Sequence, residues 1–181
     1  MLMSLLLLFG VAAALHAAIN KTTKTVYPLE YTQIIGEQCD ERGIDPILVC
    51  SIIKCESSFD PDAVSSIGAR GLMQITEETF DWIRWRLDEE DKVDYDDVFD
   101  PETNIRYGVY LLSYLFDHFE NEEAAVAAYH AGVNCVDGWL KDKNYSSDGK
   151  TLKEIPYRDT AYYVSQVLRT KEIYESLYRK G

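Results

Sequence analysis

Positive charge is scarce in this chain: 18 lysines and arginines stand against 31 aspartates and glutamates, a formal net charge of −13. Phosphate binding needs a basic face, so the composition argues against nucleic acid as a partner. The net field does not attract anionic polymers either, so an acidic glycan must be held by local contacts. Metal-ligand patterns are missing too. The three histidines, His16, His118 and His130, are scattered and no CxxC pair occurs, so neither a metal nor another cofactor is expected. Cysteine is limited to Cys39, Cys50, Cys55 and Cys135. Cys50 and Cys55 fall on one expected helix with side chains pointing apart, a poor geometry for a bridge. The cysteines read as buried apolar thiols, with a disulfide from Cys39 or Cys135 open to the chain outside the cytoplasm.

Charge of either sign is absent from the first 19 residues, "MLMSLLLLFGVAAALHAAI". That run is near the length of a bilayer-spanning helix and also suits a signal peptide. No basic residue precedes it, Lys21 and Lys24 follow it, and Ala12, Ala13 and Ala14 offer a cleavage site. Residues 1–20 are therefore expected to be an export segment, retained as a membrane anchor in preference to a removed signal peptide. Residues 21–27 are expected as a linker and residues 28–181 as one domain, located at the extracytoplasmic face of the membrane or in the wall. At 181 residues the chain suffices for one well-buried domain and no more.

What is present is a series of helix signals. Pro28 opens a segment with Tyr31, Ile34, Ile35 and Cys39 on one stripe, ended by Gly43. Asp45-Pro46 caps an apolar helix reaching Glu56; Thr76, ahead of Glu77 and Glu78, starts another. Asp100-Pro101 opens what reads as the longest helix, with Ile105, Gly108, Leu112, Leu115 and Phe119 inward. "NEEAAVAAYHAG" is a short helix stopped by Gly132, and after a polar loop a last helix runs from about Asp159. Strand signals are confined to "AVSSIGARGLMQI", a short hairpin or irregular loop. The fold class is mainly α, in a single helical domain.

Glu56 is out of place in this pattern. It continues the stripe of Val49, Ile52 and Ile53, and closes its helix where the partial negative charge of the helix end disfavours an anion. Burial and the helix end both raise its pKa, and a carboxyl kept protonated near neutrality suits a general acid. A glutamate hydrogen-bonded at a helix end for structural reasons is the competing account.

Three later stretches bear on that choice. "CESSFDPDAVSSIGARGLMQIT", "AAYHAG" and "IPYRDTAYYV" occur in this order, with "DPETNIRYG" between. Together they resemble the lytic transglycosylases with a soluble-lytic-transglycosylase-type catalytic domain, whose lysozyme-like fold is related to goose-type lysozyme. The resemblance runs from about Tyr31 to Leu168. It implies non-hydrolytic cleavage of the MurNAc-β-1,4-GlcNAc bond in peptidoglycan glycan strands, leaving 1,6-anhydro-MurNAc ends. It makes Glu56 the single catalytic acid and base, in contrast to paired-carboxylate glycosidases. It also implies substrate contacts from Ser65, Met73, Gln74, Tyr129, Asp159 and Tyr163, with core packing as the other reading of Met73.

Asp60 and Asp62 are candidate second carboxylates, and Asp60 before Pro61 reads as a turn-former. Three positions depart from the family. His130 replaces the usual Asn after Tyr129, a change that either alters pH dependence or caps a helix. Ala161 stands where Arg is common, and Thr76 where Met is common. A hydrolytic muramidase on the same fold and a silent glycan-binding module are the competing functions.

Overall fold

The structure is a computed structural model that describes residues 21–89 and 92–179, together with Phe9, Leu15 and Ala18. The expected export segment otherwise lies outside the described residues. No described helix is long and apolar enough to cross a membrane. Residues 21–26, expected as linker, are helical.

Helix α1 (Thr32–Arg42) starts after Tyr31, which takes a left-handed φ of 52°, and closes on Gly43 at φ 69°. It starts later than the Pro28 signal because the stretch before it is engaged elsewhere. The Tyr174 and Tyr178 hydroxyls donate to the carbonyls of Pro28 and Tyr27, each at 2.8 Å. The other caps fall where the sequence places them. Asp45 accepts the Ile47 N–H and starts α2 (Pro46–Glu56). Thr76 accepts from Thr79 and starts α3 (Glu77–Arg86). A 3-10 turn (Tyr95–Phe99) leads to Asp100, which caps α4 (Pro101–His118), and Asn121 caps α5 (Glu122–Ala131).

Two further helices differ from expectation. α6 (Val133–Lys141) follows α5 directly, because Gly132 at φ 85° ends one helix and opens the next. Its buried Val136, Trp139 and Leu140 keep helical spacing, a signal hidden by reading Gly132 only as a stop. α7 (Arg158–Tyr178), at 21 residues, exceeds the 18 of α4, which had been expected to be longest. Between α2 and α3 the chain forms the irregular loop, pinned by isolated antiparallel bridges Val64–Arg70 and Arg70–Ile75.

The alanine-rich α5 is central. Ala124, Ala125, Val126, Ala127 and Ala128 are all buried, and their small side chains let α4, α6 and α7 pack on one helix. The most extensive pairing joins α2 to α7. That contact sets the end of α2, and with it Glu56, against the first turns of α7.

Candidate active site

Val49, Ile52 and Ile53 are fully buried, so the stripe that Glu56 continues points into the core. Glu56 itself keeps a partial opening to solvent. Straight after it the chain reverses through Ser58 and Phe59, both left-handed at φ 54° and 68°. Non-glycine residues accept such backbone only when their surroundings enforce it. Here the buried Phe59 anchors the turn, and the Ser57 hydroxyl donates to the Leu72 carbonyl at 2.9 Å. The acid is thus held between a packed helix and a fastened turn.

From α7, the Tyr163 hydroxyl donates to Glu56 Oε1 at 2.6 Å. Burial pushes the Glu56 carboxyl from its ordinary 4.5 up to about 7, and the Tyr163 bond offsets part of that rise. Burial, and then the neighbouring Glu56 carboxylate, push the Tyr163 and Tyr129 phenols well above their usual range. Both therefore remain donors. No second carboxylate is among the groups that set the protonation of Glu56. Asp60 and Asp62 are exposed, and Asp60 accepts the Asp62 N–H in a local turn.

The loop that carries Met73 and Gln74 is fixed by side chains that bond its backbone. Tyr129 from α5 donates to the Met73 carbonyl at 2.7 Å. The Met73 side chain is fully buried and occupies the space where a side chain on Gly108 would have to sit. What Met73 offers the site is its carbonyl. Gln74 adopts φ 50° and spends its amide N–H groups on the carbonyls of Ala63 and Gly71 at 3.1 and 2.9 Å. Ser65 accepts the Ala69 N–H at 3.0 Å and so also shapes the loop.

Asp159 is exposed at the start of α7 and shares with Tyr163 and His130 a cavity of about 480 Å³. Tyr129 lines a second cavity, of about 430 Å³, together with Trp82 and Tyr114. Among the described residues no three His, Cys, Asp or Glu side chains converge as metal ligands would. All four cysteines are free, and burial pushes the Cys39 and Cys50 thiols up to about 12.

Two residues that organise this site went unremarked in the sequence. Asn104, fully buried on α4, accepts the Met73 N–H at 2.8 Å and donates to Val98 and Arg70 carbonyls. The Tyr95 hydroxyl lies 2.7 and 2.9 Å from the carbonyl oxygens of Gly68 and Ile75, which share its one proton, and Arg70 stacks on its ring. Asn104 precedes Gly108 by one helical turn, so a polar residue on the inward stripe was the available signal. Tyr95 carried none.

The raised pKa has a consequence for stability. Between about pH 4.5 and about 7 the folded chain keeps a proton on Glu56 that the unfolded chain releases. Stability therefore falls as pH rises through that window. Glu56→Gln removes the penalty. The variant should match wild type near pH 4 and exceed it above pH 7 by up to about 3 kcal/mol. Paired denaturant melts at both pH values check this; a constant difference across the range would refute the burial account.

Glu56 is thus a largely buried carboxyl that accepts the Tyr163 hydroxyl and lies near the Tyr129 phenol, and each of the two tyrosines lines a cavity. The chain belongs to the Transglycosylase SLT domain family, which matches residues 33–152. It is 32% identical over 155 residues to the soluble lytic murein transglycosylase of Salmonella typhimurium, covering 84% of this chain and 23% of that protein. A transglycosylase of Enterobacteria phage PRD1 is 32% identical over 127 residues, covering 70% of this chain and 43% of the phage protein. Among solved structures, the 70-kDa soluble lytic transglycosylase of Escherichia coli matches with a TM-score of 0.76 at 27% identity, over 85% of this chain and 25% of that one. An inactive glutamate-to-glutamine mutant of the Pseudomonas aeruginosa enzyme Slt matches with a TM-score of 0.71 at 28% identity, over 83% and 24%. The chain thus has a lysozyme-like helical fold and spans under half the length of these curated relatives.

Proposed function

We propose that this domain cleaves the β-1,4 bond between N-acetylmuramic acid and N-acetylglucosamine in peptidoglycan without water, with Glu56 as the only acid and base. The neutral carboxyl protonates the glycosidic oxygen as the C1–O bond breaks. The resulting carboxylate takes the proton of the muramyl 6-hydroxyl as O6 bonds to C1, and the acid is restored. A substrate hydroxyl already held at the reacting carbon has a high effective concentration, so no protein nucleophile is needed.

The observation that carries this reading is the Glu56 carboxyl at the end of an apolar helix, shielded from water so that its pKa is raised, and holding the Tyr163 hydroxyl at 2.6 Å. Burial favours its neutral form and the Tyr163 bond favours its anion, and a residue that alternates as acid and base needs both. Two further facts support it. The P. aeruginosa Slt structure is described as an inactive mutant, with a glutamine for a glutamate. The cavities lined by Tyr163 and by Tyr129 also offer room for a glycan strand. The Gln74 amide oxygen, Asp159 and the polar groups of Ser65 and Met73 are the contacts we assign to it. This work takes place outside the cytoplasm, with residues 1–20 as the export segment and membrane anchor.

Mass spectrometry of muropeptides released from purified peptidoglycan tests the chemistry. Anhydro ends, lighter by one water than reducing ends, are expected. Reducing ends alone would make the enzyme a hydrolase.

A further inference from the structure

His130 touches α7 at two points. Its Nδ1 lies 3.1 Å from the hydroxyl of the buried Thr160. Its ring sits 4.6 Å from the Tyr163 ring, at 32° between planes. Thr160 and Tyr163 are separated by one turn of α7 and so share a face. One imidazole on the last turn of α5 therefore spans both. Beyond it lies the cavity of about 480 Å³, into which an unsupported Tyr163 ring could rotate about its side-chain torsions. The hydroxyl of that same tyrosine is the one on Glu56.

We propose that His130 is a positioning residue, fastened to Thr160 and leaning on Tyr163, that holds the Tyr163 hydroxyl on the Glu56 carboxyl. The proposal rests on Glu56 being the acid. The groups around His130 are Lys54 of α2 and Asp159, Tyr162 and Tyr163 of α7, with Tyr27 across the cavity. Those around Glu56 are Tyr163, Tyr129 and its neighbour Cys55.

The Tyr163 bond favours the Glu56 anion, so loosening it raises the pH at which Glu56 loses its proton. The test is a carbon-13 titration of the Glu56 carboxyl in the full chain, paired with kcat and KM against pH. Tyr163→Phe sets the full upward displacement, by as much as about one pH unit. His130→Ala should move the midpoint the same way, shift the alkaline limb of kcat upward and lower kcat about tenfold, the scale of one hydrogen bond. KM should change little. His130→Phe keeps a ring against Tyr163 and should recover most of the wild-type midpoint; it also serves if His130→Ala fails to fold. A Glu56 midpoint in His130→Ala equal to that of wild type, or one in His130→Phe equal to that of Tyr163→Phe, would overturn the proposal. The titration needs no substrate, so it decides the role of His130 even if the proposed reaction is wrong.

Discussion

Glu56→Gln should clear cell walls at least about a hundredfold more slowly than wild type, the scale of general acid–base catalysis. The amide has the size of the carboxyl, and its oxygen can still accept the Tyr163 hydroxyl, so the site stays assembled. What it lacks is a proton to give to the leaving oxygen and an anion to take one from the 6-hydroxyl. Both halves of the proposed cycle fail together, because one group performs both. Circular dichroism matching wild type, with a melting temperature no lower at neutral pH, separates this from unfolding. Near-wild-type turbidity clearance would remove Glu56 from the mechanism.

The same substitution separates stability from activity. A carboxyl pushed to about 7 by burial costs the fold stability wherever it ionises. One variant that is at once more stable above neutrality and inactive would tie both effects to one group.

The helices were legible in the sequence wherever a side chain announced them. Asp45, Thr76 and Asp100 each cap a helix through its own oxygen, and two of them stand before proline. Such signals are local, and local physics decides them. α6 was missed because Gly132 acts on both sides of itself, and only a pattern beyond it, Val136 with Trp139 and Leu140, could have revealed the second helix. Glu56 was legible as a misplaced carboxylate on an apolar stripe. The Tyr163 bond was not, since the two residues are 107 apart in the chain and only the packing of α2 on α7 joins them. The buried Met73 side chain matches the core-packing reading, whereas the use of its carbonyl by Tyr129 was not legible. A sequence names side chains, and here part of the site is built from backbone.

That backbone depends on Asn104, and Asn104→Leu should be the most damaging substitution outside the acid itself. The asparagine is fully buried on α4 and uses both ends of its amide. Its oxygen accepts the Met73 N–H at 2.8 Å, and its nitrogen donates to the Val98 and Arg70 carbonyls at 2.7 and 3.0 Å. Gly71 makes this approach possible. A Cβ there would fall 2.2 Å from Asn104 Nδ2, and its φ of +72° already favours glycine. Leucine has similar bulk but no polar atom, so one N–H and two carbonyls lose a buried partner. At about 1–3 kcal/mol for each buried group left unsatisfied, a loss of 3 kcal/mol or more is expected. Activity should fall further than stability alone requires, because the Met73 carbonyl that receives Tyr129 lies on the released loop. Asn104→Asp sharpens the test. It keeps an acceptor for Met73 but offers no donor to the carbonyls and buries a charge, so it should be no better than leucine at neutral pH. Denaturant melts of both variants, with wall clearance measured well below their midpoints, check the pair. A stability change within about 0.5 kcal/mol for Asn104→Leu would mean that water or a shifted loop replaces all three bonds. The loop would then owe its shape to Tyr95 and the Val64–Arg70 and Arg70–Ile75 bridges instead.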